Sequence, residues 1–168
     1  RQRQMCIRDS FEYDFSGSTF FYPVDFTHSY YAKPVNFSGS AYWGEADFSY
    51  STYMDEVYFS ESSYQGRAGF NGSIYQGEAD FRSSTYRGSA GFARSTYRGG
   101  AYFNGSTYLS EAVFRGSVYR CATTFNDSVY HYWVDLRGST YQGAADFGGS
   151  IYRYWADFRG STYRRWAY

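Results

Sequence analysis

The chain has 168 residues, 43% of them hydrophobic, and its sixteen basic and sixteen acidic residues cancel to no net charge. That length is about one domain, balanced charge removes any inference from net charge to nucleic acid or membrane, and no stretch approaches the roughly 20 consecutive apolar residues of a membrane-spanning helix. With 22 Tyr, 16 Phe and 18 Gly against very few Leu and Met, aromatic rings have to build the core that branched aliphatics usually build.

The first ten residues, Arg1 to Ser10, resemble the in-frame translation of a transposase-type sequencing adapter. Residues 1–10 are therefore read as an artefact outside the fold, Cys6 as non-native, and residues 11–168 as a single repeat domain truncated at both ends. Cys121 is then alone, with neither an intrachain disulfide nor a cysteine metal cluster open to it.

From Phe15 onward an aromatic recurs at alternating steps of five and six: Phe15, Phe20, Phe26, Tyr31, Phe37, Tyr42 and so on to Phe158 and Tyr163. The period is eleven without a slip. One register holds Phe except at Leu136, and the other holds Tyr except at Phe20. Ser stands two positions before every residue of the Tyr register, from Ser18 to Ser161, and a small or β-branched residue, such as Val24, Ala46 or Ala156, stands two before most of the Phe register. Spacing of two puts both members of a pair on one side of a short strand. The recurring Gly of Phe-Arg-Gly-Ser, as at Gly116, Gly138 and Gly160, disfavours helix and marks a tight turn with positive φ.

The inward ladder predicted from this pattern is Phe48, Phe59, Phe70, Phe81, Phe92, Phe103, Phe114, Phe125, Phe147 and Phe158 with Tyr53, Tyr64, Tyr75, Tyr86, Tyr97, Tyr108, Tyr119, Tyr130, Tyr141 and Tyr152. Size then selects the coil. One repeat extends to a perimeter of roughly 36 Å, too little for these rings, whereas two give about 70 Å, or four sides of ~17 Å. An all-β solenoid of about 22 residues per four-sided coil, in roughly seven coils, is the expected fold. Each Tyr hydroxyl is expected to meet a Ser hydroxyl, a backbone carbonyl or water at a corner, the competing reading being that Tyr tolerates a half-exposed wall.

Ala46-Asp47-Phe48, Ala79-Asp80-Phe81-Arg82, Ala145-Asp146-Phe147-Gly148-Gly149 and Ala156-Asp157-Phe158-Arg159-Gly160 resemble the units of the pentapeptide-repeat family. The likeness runs from about Tyr13 to the C-terminus. It implies a right-handed quadrilateral β-helix. The chain departs from the family by the extra residue in every second unit and by Ser-x-Tyr in place of a second Ala-x-Phe.

Charge is segregated. Residues 11–80 carry ten acids against Lys33 and Arg67, and residues 81–168 carry five acids against eleven Arg. At 22 residues per coil, Arg115, Arg137 and Arg159 fall in one column, and Arg98 and Arg120 begin another that resumes at Arg164. Such columns can hold a phosphate, a carboxylate or a partner surface, or they can be solvated arginines lying over aromatic edges. Asp14, Asp25, Asn36 and Asp47 precede the Phe position, as a DNA-mimicking acidic rod of the topoisomerase-targeting kind would require. The column lapses at Tyr58 and Gly69, and corner hydrogen bonding explains these carboxylates as well. The outward Thr at 19, 52, 85, 96, 107, 140 and 162 reflects strand propensity better than an ice-binding ladder, since Ile74, Val118, Val129 and Ile151 interrupt it. Trp43, Trp133, Trp155 and Trp166 fall at corners, where they could mark a contact surface.

Nothing in the spacing supports catalysis. His28 and His131 lie coils apart, no nucleophile elbow accompanies the abundant Ser, and the carboxylates do not cluster as metal ligands. No cofactor is expected. The sequence reads as a non-catalytic structural or protein-interaction solenoid of unknown macromolecular partner. The alternatives are an anion or nucleic-acid binder using the Arg columns, and a DNA mimic. Without visible caps, the ends are also expected to favour self-association.

Overall fold

The computed structural model describes residues 13–168; the adapter-like segment and the start of the repeat domain lie outside the described residues. Two-residue strands, 28 of them, form four parallel sheets of seven strands each. Every pairing joins residues 22 apart, as in Tyr13↔Val35, Thr52↔Ile74 and Ala112↔Val134. The molecule is thus a four-sided β-solenoid of seven coils. Strands this short have no stability alone, and each is held by its copies above and below.

In chain order, the first face runs from Tyr13–Asp14 to Ala145–Asp146, the second from Thr19–Phe20 to Ile151–Tyr152, the third from Val24–Asp25 to Ala156–Asp157, and the fourth from Tyr30–Tyr31 to Thr162–Tyr163. The first and third carry the Phe register, the second and fourth the Tyr register. Rings within a column lie parallel, with centroids 5.1 Å apart for Phe37 and Phe59 and 4.8 Å for Tyr42 and Tyr64. Rings from different faces meet edge-on, Phe37 with Phe48 across the coil at 69° and Tyr42 with Phe48 on the adjoining face at 89°. The coil rise imposes the parallel stack, and the edge-on contacts supply the arrangement that ring quadrupoles prefer. The predicted ladder is buried from Phe48 to Tyr141, Leu136 takes the Phe place in its column, and Phe147, Tyr152 and Phe158 are half-buried.

The turn after each Phe has positive φ throughout. Eight glycines, Gly138 (φ 63) among them, and six other residues, including His28 (φ 55), Tyr50 (φ 60) and Arg94 (φ 58), occupy it. Where Asp or Asn precedes the Phe, its Oδ1 accepts the amide two residues on, as Asp47 does from Ser49 at 3.0 Å.

The serine column has a role that its spacing alone did not reveal. Amides on the Phe faces donate to the following coil (Phe59 N to Asp80 O, 2.7 Å; Glu61 N to Arg82 O, 2.8 Å), whereas those on the Tyr faces donate to the preceding one (Ser63 N to Ser40 O, 2.9 Å). The direction reverses at Ser62. Its amide instead donates to Ser84 Oγ of the next coil at 3.2 Å, and the Ser84 hydroxyl donates to Phe59 O at 3.2 Å. The same bridge recurs from Ser40 to Ser139. At the opposite kind of corner, between Tyr and the next Phe, coils approach backbone to backbone: a Cβ on Gly88 would lie 2.4 Å from Gly66 O.

This commitment of the serines bears on two of the three partners expected for the tyrosines, serine and carbonyl. The hydroxyls of Tyr42, Tyr53, Tyr64, Tyr75, Tyr86, Tyr97, Tyr108, Tyr119, Tyr130, Tyr141 and Tyr152 are buried without a hydrogen-bonding protein partner. Burial pushes the phenols of Tyr75, Tyr108 and Tyr119 far up, and the serine two residues before each partly opposes that shift. Since an unpartnered buried hydroxyl costs about 1–3 kcal/mol, Tyr97→Phe should raise the unfolding free energy by about 1 kcal/mol in a urea titration. A loss of similar size would show that the hydroxyl is bonded after all.

Candidate interaction surface

The core is filled by rings, so the groups available to a partner are the outward columns. The first predicted column does stack. Asp135, on the third face, receives Arg137 at 2.8 Å and Arg115 at 3.5 Å, while Asp157 receives Arg159 at 2.5 Å and Arg137 at 3.6 Å. Burial pushes the Asp135 carboxyl up, but the hydrogen bonds from Arg137 and the charge of Arg115 outweigh it and hold the group below its usual range. The hydrogen bond from Arg159 likewise holds Asp157 down to about 2. Arginine and aspartate therefore interleave along this column and neutralise most of its charge.

The second column is different. Arg98, Arg120 and Arg164 line the corner between the fourth and first faces, are exposed, and form no ion pair with a described residue. Gln142 interrupts them. The acidic positions of the first coils are turn caps: Asp14 accepts the amide of Ser16, Asp25 that of Thr27 and Asn36 that of Ser38. Where the carboxylate is missing on the third face, at Gly69 and Gly91, the coil before supplies the acceptor. Ser49 Oγ takes the amide of Asn71 at 3.1 Å, and Asn71 Oδ1 takes that of Ala93 at 3.0 Å. An open trough of ≈ 330 Å³ lies along this face, lined by Asn71 and Gly91 and bordered by Tyr50, Arg94, Glu111 and Arg115.

At the corner between the second and third faces, Tyr132 stacks on Tyr154 with centroids 5.7 Å apart and 10° between planes, and Trp133 stacks on Trp155 at 5.7 Å and 13°. Tyr154 and Trp155 are 60% and 56% exposed. Trp133 Nε1 donates to Glu111 Oε1 at 3.2 Å, which fixes the lower indole. Sequence reasoning placed the tryptophans at corners but missed the paired Tyr-Trp doublets. The signal was present as the same dipeptide repeated 22 residues on. Trp43 lies on this same corner in an earlier coil and Trp166 on the opposite one, both exposed. His28 stacks on Tyr50 at 5.3 Å, on a different corner from His131, so the two histidines do not meet.

Fold and surface together define a β-solenoid whose distinctive chemistry lies on its outer corners. The chain matches no family model, no curated protein and no solved structure.

Proposed function

We propose that this solenoid is a non-catalytic structural and protein-interaction module, with the Tyr132, Trp133, Tyr154 and Trp155 corner as its contact surface. The observation that supports the reading is the pair of exposed aromatic stacks beside the exposed Arg153. Trp, Tyr and Arg dominate interface hot spots, and rings already fixed by stacking lose little side-chain entropy on binding. The Ala-Asp-Phe units support placing the chain beside the pentapeptide-repeat proteins. In quantitative affinity capture from source cells, Tyr154→Ala/Trp155→Ala is expected to lose the wild-type partner by about tenfold or more. Equal capture by both proteins would remove the corner as the contact.

A second reading, binding of a polyanion, is favoured by the exposure of Arg98, Arg120 and Arg164 without an ion pair among the described residues. Three phosphate contacts predict that affinity for duplex DNA falls with salt at a log–log slope of about −2.7. A flat salt dependence, or no binding in dilute salt, would remove it.

A further inference from the structure

The corner between the fourth and first faces carries, beyond Lys33 in the first coil, acidic coils followed by basic ones. Asp55 and Glu56 belong to one coil and Glu78 to the next; Arg98 lies on the coil after that and Arg120 on the one following. All five are exposed. Tyr58 Oη donates to Glu56 Oε2 at 2.9 Å and Tyr102 Oη to Glu78 Oε1 at 3.4 Å, so two of the carboxylates are held from the first face while still reaching solvent. Between the acidic and basic coils the corner holds Gly77, Gly99 and Gly100, with Gln76 the one larger uncharged side chain.

The geometry points to an antiparallel dimer of this chain, in which two copies meet along this corner across a two-fold axis midway between the Glu78 and Arg98 coils. An axis in the interface and perpendicular to the solenoid reverses the coil order while keeping each column opposite itself. Glu78 then faces Gly100 of the second copy, with Arg98 of that copy beside it. Glu56 faces Ala122, and Asp55 faces Cys121, next to Arg120. Each carboxylate thus meets a small residue and a neighbouring arginine, and every contact occurs twice. Moving the axis by half a coil either way sets Arg98 against Arg98 or Glu78 against Glu78, and a parallel dimer sets every like charge together. The register is therefore selected by repulsion as much as by attraction. Exposed pairs each contribute little, so the dimer is a weak, salt-sensitive one. It does not rest on the aromatic corner of the proposed function, which lies diagonally across the coil and faces outward on both copies, but it does occupy two arginines of the polyanion reading.

The test uses the full chain carrying Cys6→Ser. At roughly 100 µM in dilute salt, sedimentation equilibrium should give a mass approaching twice 19.4 kDa, returning toward the monomer in salt near 1 M. Arg98→Glu/Arg120→Glu and Glu56→Arg/Glu78→Arg should each weaken self-association by about tenfold or more, and their equimolar mixture should restore a heterodimer. All four positions are exposed, and unchanged melting curves establish that the variants fold. Under copper-phenanthroline oxidation, Asp55→Cys should form a disulfide-linked dimer with Cys121 of the second copy. Cys121 alone should not, because in this register the two Cys121 are three coils, about 15 Å, apart. A monomer in dilute salt, charge-reversed variants that associate as the parent does, or a Cys121–Cys121 cross-link in preference to the mixed one would each overturn the proposal. None of these results would bear on the capture experiment with Tyr154 and Trp155.

Discussion

Raising the pH to about 11 is expected to unfold this protein in one cooperative step, because the core is a column of buried acids. Ten tyrosines, from Tyr42 to Tyr141, are at most 1% exposed. Burial raises the phenols of Tyr53, Tyr64, Tyr86, Tyr97 and Tyr130 well above their ordinary value, with the stacked neighbours adding to the shift. The sign follows from proton counting. Above pH ~10 the unfolded chain releases phenolic protons that the folded chain keeps, so the contribution is complete below pH ~10 and is lost as pH rises. Each tyrosine that stays neutral in the fold costs about 1.4 kcal/mol of stability by pH 11, and ten of them remove about 14 kcal/mol. A typical domain has only about 5–15 kcal/mol in total. Phenolate absorbance and far-ultraviolet circular dichroism followed together should therefore change in a single superimposed transition. Phenolate appearing gradually while the β-signal persists to pH ~12 would show that the rings ionise inside an intact coil, contrary to the burial that defines the fold.

The second large effect is expected from a hydroxyl. Ser84→Ala removes the only acceptor shown for the Ser62 amide and the donor to Phe59 O, both in the buried corner where the amide direction reverses. Two orphaned backbone groups put the loss at about 2–4 kcal/mol in chemical denaturation. Thr85→Ala, one residue on and half-exposed, should change stability by less than about 0.5 kcal/mol. If the two variants proved equally stable, the serine column would be a packing choice and not the bridge between coils. Tyr97→Phe is expected to act in the opposite direction, because the serine at each such corner holds the backbone whereas the tyrosine hydroxyl two residues on has no protein partner.

The repeat, the inward rings and the four-sided coil were all legible in the residues, because a strict alternation of steps admits one inward set and the ring volume excludes the smaller perimeter. The stacking of Arg115, Arg137 and Arg159 was legible for the same reason. Its neutralisation was not, since Asp135 reaches Arg115 from the next coil, twenty residues away, and no local pattern distinguishes a capping aspartate from one that also binds an arginine below it. The acceptors supplied by Ser49 and Asn71 at Gly69 and Gly91 were hidden likewise, being contacts between coils. Partners for the tyrosine hydroxyls were expected because serine stands beside each ring, yet nothing in that spacing reports which way the serine proton points.

The sequence by itself determined the period, the strand alternation, the position of each turn and the identity of the core, since these depend on side-chain size and backbone freedom repeated every eleven residues. Only the tertiary structure decided which hydrogen bonds are made between coils, which arginines pair with an aspartate, and which exposed rings and charges share a corner. Those outcomes depend on groups that come within a few ångströms only after 22 residues have closed a coil.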